Sequence, residues 1–380
     1  MEEKTKFKIG IGILVSIVIA LVICVVATII IIINLKKVTG NFESAIPAVI
    51  SSEKAILKVD KEELEILKGD RISILKDDII NNTYLVSYNE KIGTINKDLV
   101  KYYEFDENDK YSLMLDVSRF NIAEIGSSGD SSKNFQNEKD FELFILENDI
   151  QYVYIRLGGR GWGQSGSLYY DDDAIRYIES CEYLKVPYGF YFIEEAINEE
   201  ELKEEVKYVK DFLDKNKTSM NVLPLAIDME YQHGQGRTDN IWEARVILLN
   251  KLIDEFNKIN ENCILYANGA RIEKYLKSAN CKFWTAMYPQ NGVIPENNYK
   301  ATIKIEQLEN QLNELTAIAS SNLTTKVNQG GTDTVYYSDE FLDKVIGWQF
   351  TESGAKKDGI EDQIDLSLVN NKFFKEFIGK

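Results

Sequence analysis

The chain has 380 residues, 44% of them apolar, and a formal net charge of -17. That length can bury a sizeable core and leaves room for two or three domains. The charge excludes a nucleic-acid partner, which needs basic clusters to neutralise phosphates, and disfavours electrostatic docking to anionic membranes or wall polymers.

Residues 9–35 are almost wholly apolar and carry no charge, enough to cross the hydrocarbon as one helix. The run exceeds a signal-peptide core and shows no convincing small-residue cleavage site. The sequence therefore predicts an N-terminal transmembrane helix at 9–35, with residues 1–8 as a cytoplasmic tail and 36–54 as a stem. Lys4, Lys6 and Lys8 before the run and Lys36 and Lys37 after it barely bias its orientation. The chain is expected to be a single-pass protein of the cell membrane with the residues after the run outside.

Residues 55–104 read as short strands: Glu65-Ile66-Leu67, Arg71-Ile72-Ser73-Ile74-Leu75, Tyr84-Leu85-Val86-Ser87-Tyr88 and Ile92-Gly93-Thr94-Ile95. Lys68-Gly69-Asp70 and Asn89-Glu90-Lys91 supply turns. Leu67-Lys68-Gly69-Asp70, Tyr84 to Tyr88 and Ile92-Gly93 resemble the bacterial Src-homology-3-like domain, with Thr94 where that family carries Trp. The resemblance implies a small all-β barrel, used either to bind wall peptides or as a spacer.

From Tyr111 onward apolar strand-like runs alternate with helical patterns, as in a parallel barrel. Candidate strands end at Asp116, Leu157, Phe192, Asp228, Ala267, Met287, Phe350 and Leu366. Asn198 with Glu201 three residues on predicts a capped helix through Phe212. A second helix is predicted over about residues 240–256, with Ile241, Ala244, Ile247, Leu248 and Leu252 on one face. The fold class expected for 111–380 is thus α/β, a TIM-like (β/α)-barrel. An inserted helical segment interrupts it at about 291–340. Ile303, Ile305, Leu308, Leu312, Leu315 and Ile318 stand there at near-helical spacing, for packing on the barrel's flank or on a partner.

His233 is the only histidine. Ser-His-Asp, Cys-His and histidine-rich metal sites need imidazole as base or ligand, so peptidase and zinc-amidase chemistry is disfavoured; neither metal nor cofactor is expected. Cys24 lies in the apolar run, and Cys181, Cys263 and Cys281 show no C-x-x-C pair. A Cys263–Cys281 bridge and two inert buried thiols both fit.

What remains is carboxylates. Asp116, Asp228, Glu230 and Asp365 sit at expected strand ends, where a barrel gathers its reacting groups. Residues two apart on a strand point the same way, so Asp228 and Glu230 reach one site. Two acids that close cannot both ionise easily, and one pKa rises. Paired acids flanking a cleft are the equipment of glycosidic-bond hydrolysis.

Ordered matches run through the whole domain: Asp116-Val117-Ser118, Arg160-Gly161-Trp162-Gly163, Gly189-Phe190-Tyr191-Phe192, Ala226-Ile227-Asp228-Met229-Glu230, Leu265-Tyr266-Ala267, Phe283-Trp284-Thr285-Ala286, Gly347-Trp348-Gln349-Phe350 and Ile364-Asp365-Leu366. In these the chain resembles glycoside hydrolase family 25, the lysozyme-type N-acetylmuramidases. Ser367, where that family often has Asn, and the inserted segment are departures. The resemblance implies cleavage of the β-1,4 bond after N-acetylmuramic acid in peptidoglycan. Glu230 matches the family's acid, and Asp116, Asp228 and Asp365 its other site carboxylates. Arg160, Trp162, Tyr191, Tyr266, Trp284, Tyr288 and Trp348 are candidates for substrate binding, the aromatic ones by stacking on sugar faces; each aromatic fits the core equally well. The expected partners are peptidoglycan glycan strands and the membrane. The alternative function is a non-catalytic wall-binding scaffold docking on envelope proteins, and a chitinase-like enzyme is a third.

Overall fold

The computed structural model describes residues 39–105, 108–125, 130, 132–161, 163–230, 236–238, 241–286, 325–326, 334–335, 338–351 and 364–378. The apolar run 9–35 and the amphipathic segment at 299–320 lie outside these. Among the described residues no helix is long and apolar enough to cross a membrane. The chain divides into two units, Met1–Tyr102 and Tyr103–Lys380.

The first unit is an antiparallel sheet of seven strands: β1 (Thr39–Ile50), β2 (Lys54–Val59), β3 (Glu62–Leu67), β4 (Arg71–Asp78), β5 (Thr83–Tyr88), β6 (Lys91–Asn96) and β7 (Val100–Tyr102). Their order is β3-β2-β6-β5-β4-β1-β7. Alternate residues face one core built on Ala48, Ile50, Leu57, Ile66, Ile72, Ile74 and Val86. Asn89 and Glu90 both take positive φ, 46° and 66°, the backbone of a two-residue hairpin turn whose twist matches its strands. The segment expected to be a stem is β1, which pairs with both β4 and β7. Gly40 and Pro47 had masked its strand character in the sequence.

The second unit is a closed barrel. Its strands are β8 (Tyr111–Val117), β9 (Ile150–Arg160), β11 (Tyr188–Ile193), β12 (Ala226–Asp228), β13 (Ile264–Asn268), β14 (Lys282–Ala286), β17 (Val345–Thr351) and β18 (Asp365–Asn370). They pair in that order, and β18 pairs with β8 to close the ring. The short β10 (Leu168–Tyr170) flanks β9, and β15 (Thr325–Lys326) pairs with β16 (Thr334–Val335) apart from the barrel. This corrects the expected TIM-like (β/α)-barrel: β18 runs antiparallel to both neighbours, β17 and β8, so the barrel is mixed. Strand-helix alternation does not encode strand direction. Parallel neighbours need a crossover of a dozen or more residues, whereas antiparallel ones do not.

Helices α1 (Glu138–Glu147), α2 (Ala174–Leu184), α3 (Glu199–Asn216) and α4 (Trp242–Asn257) connect the parallel strands. Asn198 caps α3 by accepting the Glu201 N–H at 2.9 Å, while the Glu201 carboxylate accepts the Ile197 N–H at 3.1 Å. In α4 the buried face is Arg245, Leu248, Leu249, Leu252, Ile253 and Phe256, and Ile247 is 67% exposed. The expected face was rotated because Arg245, a charged residue, is buried against the Glu194 carboxylate at 2.7 Å.

The barrel interior follows the two-residue period of its strands. Met114, Tyr152, Tyr154, Ala226, Ile264, Tyr266, Trp284 and Val369 form its core. Gly189 makes room: a Cβ there would come within 2.9 Å of both the Tyr154 ring and Leu223. At Gly158 (φ 147°) a Cβ would meet the Tyr169 carbonyl at 2.1 Å, so only glycine lets β10 fold back on β9 there.

Candidate active site

One step above that core, at the barrel mouth, the same inward-facing parity places polar residues. On β8 the inward series Ser112, Met114 ends at Asp116, and on β9 Tyr152, Tyr154 ends at Arg156. Asp116 pairs in register with Tyr154 and, on its other side, directly with Asp365. Asp228 pairs with Ile193 and Tyr266, and Tyr266 with Trp284. Glu230 lies two residues beyond the end of β12 and is exposed.

Asp116, Arg156, Asp228, Tyr266, Trp284 and Asp365 from these strands help line a cleft of about 250 Å³. All four expected carboxylates, Asp116, Asp228, Glu230 and Asp365, are in its wall, with Tyr191, Tyr266 and Trp284 of the expected aromatic set. Its floor is aromatic: the Trp284 ring packs 4.6 Å from Tyr266 and 5.1 Å from Tyr154. Trp284 Nε1 donates to Ser367 Oγ at 2.9 Å, so the Ser367 departure sits beneath the aromatic floor.

Burial pushes the Asp116 carboxyl up to about 7. Hydrogen bonds with Gln349 and Asp365 pull it down, and the nearby Glu230 charge pushes it up. Gln349 Nε2 donates to Asp116 Oδ2 at 3.0 Å, and Tyr266 Oη donates to Gln349 Oε1 at 2.7 Å. That chain fixes the amide so that its NH₂ faces the acid. Asp228 is 4% exposed. Burial holds its carboxyl well above the usual range, with the charges of Glu230 and Asp116 adding to the rise and Arg156 opposing it. Asp228 Oδ1 is buried and makes no hydrogen bond among the described residues, leaving an acceptor free for a ligand.

Two other expected ligand-binding residues lie elsewhere. Arg160 ends β9, but it is 4% exposed and sits beneath α3, bonded to Glu205 at 2.8 Å, Glu204 at 2.8 Å and the Gly166 carbonyl at 2.7 Å. Trp348 is fully buried, on the face of β17 opposite Gln349, with its ring against Phe350. Neither lines the cleft. Trp162, Tyr288 and His233 fall outside the described residues. Cys181, Cys263 and Cys281 are free thiols, and burial raises the pKa of each.

No family model and no curated protein matches the sequence. Solved structures do resemble this one at low identity. The spore cortex lytic enzyme SleM of Clostridium perfringens is 18% identical over 70% of this chain and 69% of its own, with a TM-score of 0.42. The modular autolysin LytC of Streptococcus pneumoniae, in complex with a synthetic peptidoglycan ligand, is 20% identical over 80% of this chain and 57% of its own, TM-score 0.42. A family GH25 lysozyme from Aspergillus fumigatus is 14% identical over 71% of this chain and all of its own, TM-score 0.39.

The sequence reading passed over Arg156, over Gln349, which bonds the cleft acid Asp116, and over Phe120. The signal for the first two is parity. Arg156 continues the inward series Tyr152, Tyr154, and Gln349 is the residue beside Trp348 that faces the other way. Phe120 is 57% exposed yet lines the cleft, and an exposed aromatic three residues past a strand end carries no periodic signature.

Proposed function

We propose that the barrel is a glycosidase cleaving the β-1,4 bond between N-acetylmuramic acid and N-acetylglucosamine in peptidoglycan. The observation that carries this is the meeting of Asp116, Asp228, Glu230 and Asp365 around one aromatic-floored cleft. Hydrolysis of a glycosidic bond takes a carboxylic acid to protonate the leaving oxygen and further carboxyls to support the sugar cation. Glu230 is the exposed member of the set and serves as the acid. Asp228 offers its free Oδ1 to the N–H of the substrate's acetamido group. Its carbonyl oxygen then attacks C1 as the C1–O bond breaks, and water opens the resulting ring. Asp116 and Asp365, sharing a hydrogen bond across β8 and β18, close the far wall. The residue matches to glycoside hydrolase family 25 support the same roles.

The test is mass spectrometry of muropeptides released by the full chain. N-acetylmuramic acid is expected at the new reducing end. Glu230→Gln should lower the rate ~10²–10⁴-fold with wall binding kept, because the amide holds the shape but cannot give the proton. N-acetylglucosamine at the reducing end, or a Glu230→Gln protein that retains its activity, overturns the reading.

The apolar run at 9–35 leads us to place the protein at the cell membrane with catalysis outside, and the first unit is read as a Src-homology-3-like module. Protease added to wall-stripped intact cells should then degrade the barrel; a protected barrel would refute that placement.

A further inference from the structure

Arg156 is the one cationic side chain among the described residues that line the cleft. Burying a guanidinium within an apolar strand is costly unless its donors are met. Here Nε donates to Asp171 Oδ2 at 2.7 Å. Asp171 is itself fixed, its side chain fully buried and its Oδ2 also accepting the Arg119 N–H at 3.0 Å. The Phe120 ring lies 4.9 Å from the guanidinium carbon. Arg156 is only 5% exposed, and its buried Nη2 has no hydrogen-bond partner among the described residues. Asp171 therefore holds the guanidinium by Nε and sets its plane, while Nη2 keeps a charged donor unmet in a residue that lines the cleft.

The rest of the lining says what that would be. Its other ionisable groups are four acids, and sugar hydroxyls can donate to the oxygens of any of them. A carbonyl oxygen on the substrate needs a donor instead, and Arg156 carries the one cationic donor among the described lining residues. N-acetylmuramic acid differs from N-acetylglucosamine only by the lactyl carboxyl group on O3. We propose that Arg156 binds a carbonyl oxygen of this lactyl group through Nη2 and so makes the cleft prefer muramyl over glucosaminyl units. The inference rests on the muramidase reading. Asp171 is the positioning residue that aims the guanidinium.

The experiment is calorimetric titration of the full chain carrying Glu230→Gln with two tetrasaccharides. One alternates N-acetylglucosamine and N-acetylmuramic acid; the other is chitotetraose. The muramyl ligand is used with its lactyl group free and as the amide, since both keep a carbonyl oxygen. It should bind about tenfold or more tightly than chitotetraose, the worth of one charge-assisted hydrogen bond. Adding Arg156→Met should erase the preference and leave chitotetraose affinity unchanged. Arg156→Lys keeps a charge opposite Asp171 but lacks the fork, so it should fold and retain only part of the preference. A preference that survives both substitutions, or an equal loss for both ligands, overturns the inference. Equal binding of the two ligands by the Glu230→Gln protein overturns it while leaving the glycosidase reading standing. A folded Glu230→Gln protein that binds neither ligand overturns both.

Discussion

Asp116→Asn should make the barrel more stable at alkaline pH while it impairs catalysis. The native carboxyl titrates at about 7 against an ordinary 3.8, so the folded chain holds this proton more tightly than the unfolded chain. Between about pH 4 and pH 7 the native state binds more protons, and stability falls as pH rises through that window. A shift of about three units at 1.36 kcal/mol each sets a ceiling of about 4 kcal/mol by pH 8. Coupling to Asp228 and Glu230 spreads the titration, so roughly 2–4 kcal/mol is expected. Asparagine keeps the shape, can accept from Gln349 and has no charge to lose. The four tryptophans, at 162, 242, 284 and 348, all belong to the second unit, so their fluorescence during urea unfolding reports the barrel alone. At pH 8 the variant's midpoint should lie above wild type by about 0.7–4 M, given a urea slope of ~1–3 kcal/mol/M. At pH 4 the two should nearly coincide. A difference of the same size at both pH values would refute the account, since it would show that burial of the Asp116 charge is not what costs stability.

Gln349→Leu removes the donor that favours the ionised form of Asp116, so the pH–rate profile for wall hydrolysis should move to higher pH; an unmoved profile would mean that Gln349 only packs. Arg160→Met should cost ~3–5 kcal/mol in the same urea assay, because it strips the cation from the fully buried Glu205. Its effect on KM should be small, since Arg160 does not line the cleft. A large KM change in a stably folded variant would return Arg160 to the substrate site.

Much of the candidate site was legible because its acids break a pattern. Asp116, Asp228 and Asp365 each interrupt apolar strand sequence, and an acid in such a place is conspicuous. Tyr191, Tyr266 and Trp284 were legible only as candidates, because sequence shows the ring and not the side of the strand it takes. Trp348 has the same signature and is fully buried. Arg160 misled because a terminal arginine beside glycines reads as a loop ligand, while its partners, Glu204 and Glu205, arrive from a helix more than forty residues away. Long-range pairing of that kind leaves no local trace. The β1 strand was hidden for the opposite reason: its partners β4 and β7 define it, and its own sequence lacks clean alternation.

Strand direction was not legible at all, yet the error in it left the acids in place. Asp365 was expected to end a last parallel strand, and instead it begins the antiparallel β18. The rim of a barrel where parallel strands end is also the rim where an antiparallel strand starts. Inward parity depends on counting by two and not on direction. Reversal therefore preserved both height and facing. It also changed the chemistry. In an antiparallel pair, directly opposed residues bring their Cβ atoms within roughly 4.5–5.5 Å, and Asp365 stands directly opposite Asp116. Two carboxyls held so close share a hydrogen bond, and their mutual repulsion is lowest when one of them keeps its proton. The antiparallel strand is thus what makes Asp116 and Asp365 a proton-sharing pair facing Asp228 and Glu230.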